Sequence, residues 1–313
     1  MDIEIIRYCR DDKSQWNAFI MESKNGLFFF QREYMDYHSD RITDHSVIFK
    51  KKDQILAVFP ANENENNIVS HGGLTYGSLI VNKKIKAIEV LEIFNILTKY
   101  YKSQRFDKII YKTIPYIFHT QPSQEDLYVL FIYNAKLVRR DISSVFSLQN
   151  KLPFANSPSR RHKKCLKLDL IIRENSNFSQ YWELLTDVLK VNHSTMPVHT
   201  LEEIQMLADS FPNNIKLFEV LENGNLISGT VIFDFGNTVH TQYLANSERG
   251  REIGALDFLI IELIENRLQD KAYLSFGIST ENQGRFLNEG LINQKEMYGG
   301  RAVCNDFYEI DLN

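Results

Sequence analysis

Sliding the sequence against itself by about 170 positions brings two similar halves into register, and this internal repeat limits the fold more than any other feature. Each copy has to form the same supersecondary unit. In the first copy an apolar segment, Val47-Ile48-Phe49, leads through a charged turn at 51–54 into a second segment, 55–61, and then a third around Ile68 and Val69. In the second, 217–221 leads through Glu222-Asn223-Gly224-Asn225 into 226–233, the turn Gly236-Asn237, and 239–244. Asn-Gly marks a tight hairpin, because both central positions of a type I′ turn take positive φ.

A long amphipathic helix follows the strands in both copies. Val90, Ile93, Phe94 and Leu97 recur at helical spacing within 85–102, and Leu256, Leu259, Ile260, Leu263 and Ile264 do so within 255–269. Short apolar strands come next, at 108–111 and 273–276. A strand-helix-strand crossover makes a parallel pair whereas hairpins are antiparallel, so each sheet must be mixed. The expected class is α/β: two tandem domains, each a mixed, mostly antiparallel sheet flanked by helices.

A chain of 313 residues suits two cores of about 150, and the expected division is 1–155 and 156–313. The basic stretch from Ser157 to Lys164, with Pro158 inside it, reads as a boundary loop or the start of a connecting helix. Segment 178–191 then reads as a helix entered from Asn177, and 201–210 as another. Thr200 with Glu203 three residues on is the pattern of a capping box.

Charge and cysteine usage exclude several classes. Lys and Arg number 36 against 40 Asp and Glu, a net charge of −4, so no general field draws the chain to DNA or to an anionic membrane. Charges within the first dozen residues speak against a secretory signal, and no stretch approaches the roughly 20 apolar residues of a membrane span. Cys9, Cys165 and Cys304 are far apart and in no Cys-x-x-Cys pair, which fits neither a disulfide framework nor a zinc site. His193 and His199, flanking Pro197, lack acidic or cysteine neighbours that would suggest a metal. The expectation is a cytoplasmic protein without a metal.

One loop stands out chemically. Ser247 to Ala255 lies between the strand ending near Leu244 and the second long helix, and it carries Gly250, Gly254, Arg249 and Arg251. A glycine-bearing loop that opens a helix presents unpaired backbone N–H groups at the positive end of the helix dipole, a place for a phosphate or pyrophosphate. The alternative is an ordinary turn with solvated arginines. In the first copy the equivalent stretch, 79–85, keeps positive charge but has no glycine, and Cβ atoms obstruct close approach of a pyrophosphate to the backbone. The second copy is therefore the expected donor site.

Here the residues resemble the GNAT superfamily of N-acetyltransferases, and within it the double-domain proteins similar to the FemAB peptidyltransferases. Arg251-Glu252-Ile253-Gly254-Ala255 resembles the superfamily's acyl-CoA signature in its Arg and first Gly, while Leu256 stands where Gly or Ala is expected. The wider chain resembles a bacterial subfamily of tandem proteins through Phe28-Phe29-Phe30-Gln31, Tyr37 to Arg41, Ser70 to Gly77, Pro197 to Thr200, Gln242 to Ala245, and Phe276 to Ser279 with Leu287 to Leu291. The resemblance implies direct transfer of an acyl group from acetyl-CoA or another acyl-CoA to an amine on a small molecule or a nucleotide-linked sugar. On that footing Arg249, Gly250, Arg251, Ile253, Gly254 and Ala255 hold the donor.

Catalysis would then rest on positioning and on a base that takes the amine proton. His240 is one candidate base, with Gln242 on the same strand face orienting substrate and Tyr243 pointing to the other face. Glu281 is a second candidate, with Ser279 and Asn288 as hydrogen-bonding groups, and Tyr298 is placed to protonate the leaving group. Lys295 and Glu296 read as a surface ion pair. In the first copy the glycine-rich run His71-Gly72-Gly73-Leu74-Thr75-Tyr76-Gly77 is expected to help form the acceptor site in a cleft between the copies, with Tyr37, His38 and Arg41 as neighbours and His199 on a closing loop. A bulge serving only close packing is the structural alternative. Two other readings stay open: a FemX-like ligase using aminoacyl-tRNA, and a non-catalytic protein that recognises an acylated ligand.

Overall fold

A computed structural model describes residues 2–313, apart from the side chains at 192 and 193. It divides into two compact units. The first comprises Met1–Asp141, Asn282–Arg285 and Cys304–Asn313, and the second Ile142–Glu281 with Phe286–Val303. The division therefore falls at 141/142 instead of 155/156, and the C-terminal segment returns to the first unit. The repeat reveals which strands each copy contains; it says nothing about which strand closes a sheet.

The first unit opens with β1 (Glu4–Arg7), α1 (Lys13–Glu22) and the short α2 (Arg32–Met35). Strands β2 (Val47–Lys51) and β3 (Gln54–Phe59) form the first hairpin, with Lys52 and Asp53 both at positive φ in its turn. After β4 (Asn62–Asn64), β5 (Asn67–Val69) and β6 (Ile80–Val81) comes the long helix α3 (Ala87–Ser103), then β7 (Lys108–Lys112). The crossover makes β5 and β7 parallel, as the sequence requires. On its other edge β7 pairs antiparallel with Phe307–Asp311 of the last strand. Helix α4 (Glu125–Ile132) and the first half of β8 (Lys136–Ser147) complete the unit. Ile93, Phe94, Leu97 and Tyr101 of α3 pack on Phe49, Phe59, Ile109 and Tyr111 in a core of fully buried side chains. Each large apolar side chain buried in this way contributes roughly 1.5–3 kcal/mol.

In the second unit the basic stretch is a helix, α5 (Asn156–Cys165). Strand β9 (Leu170–Asn175) leads to α6 (Ser179–His193) and α7 (Leu201–Ser210). The capping box of α7 is formed: Glu203 N–H donates to Thr200 Oγ1 at 3.1 Å and Thr200 N–H to Glu203 Oε2 at 2.9 Å. Strands β10 (Ile215–Glu222), β11 (Asn225–Asp234) and β12 (Thr238–Asn246) form consecutive hairpins, the first through Asn223 and Gly224 at positive φ. Then come α8 (Glu248–Ile253), α9 (Ala255–Glu262), a π turn at Leu263–Arg267 and β13 (Tyr273–Ile278). The strands run in the order β8-β13-β12-β11-β10-β9, with β12 and β13 parallel. The small hairpin of β14 (Thr280–Glu281) and β15 (Phe286–Leu287), helix α10 (Glu289–Met297) and β16 (Arg301–Asp311) end the chain. Leu259, Ile260, Leu263 and Ile264 cover Val220, Ile232, Val239 and Leu274, the apolar face expected for the second long helix. Gly254, whose φ of 84° lies in the left-handed region, separates that helix from α8.

Candidate active site

The centre of the second unit is a place where two strands part. Strands β12 and β13 pair at Thr238↔Tyr273, Val239↔Leu274 and His240↔Ser275, and among the described residues the pairing goes no further, although both strands continue. Two local features force the separation. The ladder to β11 steps from Val231↔Tyr243 to Ile232↔Thr241, so Gln242 is an extra, bulged residue that bends β12. In β13 the ladder to β8 is irregular between Ser275 and Ile278, where Gly277 takes a φ of 72°. A Cβ at Gly277 would lie 3.1 Å from His240 Cε1, so glycine lets the imidazole rest on the strand.

Polar groups converge at this wedge. His240 Nδ1 lies 3.1 Å from Ser275 Oγ, and burial, with the charge of Lys295 added, pushes its pKa down to about 4. The imidazole is neutral at pH 7. Lys295 of α10 is 7% exposed and donates from Nζ to Gly277 O at 2.9 Å, Ile278 O at 2.6 Å and Ser279 Oγ at 3.0 Å. Burial draws its pKa down to about 8. The surface ion pair expected for Lys295 is thus replaced by a buried ammonium that holds the end of β13. Its position three residues after the buried Ile292, on the same helical face, was the available signal.

Other expected groups have definite partners elsewhere. Glu281 is exposed and accepts from Asn288 Nδ2 at 2.8 Å, while Asn288 Oδ1 caps α10 by accepting from Leu291 N–H. Tyr298 is buried, stacks on Phe276 and donates its O–H to Asp257 Oδ1 at 2.7 Å, so its hydroxyl serves the first turn of α9. Tyr243 O–H meets His199 Nδ1 at 2.6 Å under the edge of Trp182, and burial raises its pKa to about 12. Because of the bulge, the uninterrupted alternation that would place His240 and Gln242 on one face does not hold between them. The side chain of His193 lies outside the described residues.

The donor loop differs most from expectation. Much of it is already helix, as α8. Ser247 Oγ accepts from Gly250 N–H at 3.0 Å, and Ser247 O from Arg251 N–H at 2.8 Å. Arg249 is held by Glu222, at 2.8 Å through both Nε and Nη2, and by Glu252 at 2.9 Å. Arg251 is exposed, whereas Ile253 and Ala255 are buried in the core. Gly254 is covered by a side chain absent from the sequence-based set: a Cβ there would lie 2.6 Å from Cδ of Arg161, whose guanidinium pairs with Asp257. Arg161 therefore stands at the opening of α9, next to the amides expected to hold phosphate.

In the first unit the glycine-rich run is folded tightly on itself. The rings of Tyr37 and His38 are 4.4 Å apart, and those of His38 and His71 5.5 Å apart. His71 is buried at a φ of 57°, and Gly72 N–H donates to Asn62 Oδ1. Lys112, also buried, donates to His71 O at 2.6 Å and to Leu74 O, and burial lowers its pKa to about 7. Tyr76 is buried against Phe118, with its pKa raised by burial. Cβ atoms at Gly73 and Gly77 would collide with His38 Nε2 and Ser70 O, so close packing alone accounts for these two glycines.

No protein-family model matches the sequence, nor does any curated protein. Solved structures do. FemX is similar over 97% of this chain and 96% of its own, with a TM-score of 0.69 at 10% identity. The chain has a GNAT-like fold of the FemAB type. The structure of L-PGS from Bacillus licheniformis follows with a TM-score of 0.63 at 10% identity, over 96% of this chain and 91% of that one. A tandem GNAT protein from the clavulanic acid biosynthesis pathway has a TM-score of 0.53 at 8% identity, over 100% and 99%. Within this GNAT-like fold the parted strands β12 and β13 occupy the second unit. No helix is long and apolar enough to cross a membrane, and no group of three or more His, Cys, Asp or Glu gathers as metal ligands, among the described residues.

Proposed function

We propose that the chain is a cytoplasmic transferase that joins an acyl group to an amine on a small molecule or a cell-envelope sugar precursor, with the chemistry at the β12–β13 wedge. The observation that carries this reading is the wedge itself: strand edges that, among the described residues, do not pair with each other beyond His240↔Ser275, with a neutral imidazole at its base. A donor entering there pairs its amide groups with the open strand edges, as an added strand does. The acceptor nitrogen attacks the donor carbonyl carbon, a tetrahedral intermediate forms, and the bond to the leaving group breaks as the amide is made. His240 takes the proton released by the amine, and Lys295 acts as a positioning residue that fixes Gly277–Ser279 and adds its charge to the burial that keeps His240 neutral.

Acyl-CoA is the proposed donor, its phosphates meeting Arg161, Arg251 and the first turn of α9. Aminoacyl-tRNA is the second reading, favoured by the engagement of Arg249 with two glutamates and by the cover that Arg161 places on Gly254. A thermal-shift series with acetyl-CoA, longer acyl-CoAs and free CoA distinguishes them, since a ligand bound to the folded state stabilises by mass action. Stabilisation by an acyl-CoA that disappears in Gly254→Arg supports the first donor. Absence of any shift with CoA species, together with transfer from a charged tRNA to an amine, would replace it with the second.

A further inference from the structure

The basic stretch between Ser157 and Lys164 plays no part in the wedge chemistry, and the helix it forms, α5, has two unlike faces. Pro158, Arg161, His162 and Cys165, at helical spacing, form the inward face. Arg161 pairs with Asp257, His162 pairs with Glu262 at 2.7 Å and stacks on Phe258, and Cys165 is buried in the second unit's core. The other face is a stripe of cations: Arg160, Lys163, Lys164 and Lys167 stand at i, i+3, i+4 and i+7, and all four are exposed. Lys167 stays in line because its N–H donates to Lys164 O at 3.1 Å after the helix proper ends. None of the four makes an ion pair among the described residues, since Asp257 and Glu262 are engaged by the inward face and Glu252 of α8 by Arg249. From Asn156 to Leu168 the sequence holds no Asp or Glu. Like charges three and four residues apart repel and weaken a helix, so the stripe carries a cost that needs a reason. The helix dipole accounts for cations in the last turn, but Arg160 precedes that turn.

We propose that this stripe docks the protein on an anionic lipid surface. A net charge of −4 gives no general attraction to such a surface, but within a Debye length the local charges dominate. Side chains on the outside of one helix diverge, and from Arg160 to Lys167 they span about 10 Å at the rise of an α-helix. That geometry suits an extended plane of headgroups better than a single small anion. Two features favour lipid over nucleic acid. Leu166, 59% exposed, stands among the lysines as an apolar side chain able to enter the headgroup layer. No aromatic ring is exposed between Ile142 and Glu281 among the described residues, so unpaired bases find no surface on which to stack. Three of the four cations are lysines, whose compact ammonium groups meet phosphates without the fork geometry that reads a base edge. The docking does not depend on the reaction proposed above.

The test is co-sedimentation of the full chain with vesicles of phosphatidylcholine alone and of phosphatidylcholine and phosphatidylglycerol in equal parts, from low to physiological ionic strength. The expected result is binding to the mixed vesicles only, weakening as salt is raised. Lys163→Gln with Lys164→Gln should lower the partition coefficient by about twentyfold. The melting temperature should be unchanged or higher, because exposed like charges have been removed. Arg160→Gln with Lys167→Gln gives an independent second pair with the same expected loss. Equal binding to both kinds of vesicle, or binding by either folded double variant equal to that of the wild type, would overturn the docking surface. A duplex RNA held more tightly than the mixed vesicles, and released by the same substitutions, would overturn the lipid assignment in favour of nucleic acid.

Discussion

Lys295 illustrates how a residue's role follows from its surroundings. Written beside Glu296 in the sequence it looks like half of a surface pair; folded, its three donors are matched to three oxygens. Replacement by Met leaves those acceptors unpaired, each at a cost of roughly 1–3 kcal/mol. Transfer activity in Lys295→Met should fall at least tenfold while Lys295→Arg keeps part of it, measured as kcat/KM. The charge also has a pH signature. Its folded pKa, about 8, lies below the ordinary 10.5, so the unfolded chain binds the proton more readily between these values. Stability attributable to this group therefore rises with pH across that interval, by roughly 1 kcal/mol per unit, and denaturant melts of wild type and Lys295→Met should diverge there. His240 behaves alike at lower pH: with a pKa near 4 in the fold against 6.5 free, its contribution is lost as pH falls from about 6.5 to 4. A His240→Gln variant should show a shallower acid limb in the same melts, and lose about 10²-fold or more in turnover if the imidazole is the base. His240 drew notice because it lies on the strand that leads into the donor loop, whereas Arg161 lies ninety-odd positions from Gly254 and nothing local connects them.

Elements read well where one period or one turn decides them. Asn223-Gly224, the capping box at Thr200 and the apolar rows of α3 and α9 all formed where spacing placed them. Irregular elements did not. A bulge at Gln242 leaves no mark on the apolar pattern, since it depends on which residue of β11 lies opposite. The stretch from Ser247 to Ala255 looked like a loop because it holds two glycines, yet Gly250 is there for space: a Cβ would lie 2.1 Å from Asn246 Oδ1 and 2.3 Å from Ile227 O. Gly250→Ala should accordingly destabilise the protein by roughly 1–3 kcal/mol, visible as a lower melting temperature, with backbone as the unyielding neighbour.

At the scale of the molecule, the repeat implied two like units, and the chain divides into two compact units with a fold similar along its whole length to that of a tandem GNAT protein. Strand exchange at the ends of the copies was invisible, because two strands with the same alternation can close either sheet. Removing 304–313 should therefore damage the first unit, exposing the edge of β7 from Lys108 to Lys112. Hydrogen exchange should show the loss there, with protection in β10–β12 retained. The return of this strand also sets a timetable. During synthesis, Asp141 leaves the ribosome long before Cys304, at ordinary elongation rates by roughly ten to thirty seconds. Throughout that interval the earlier half carries an open strand edge, so its maturation awaits residues 304–313 and favours a holdase that shields β7 until they arrive.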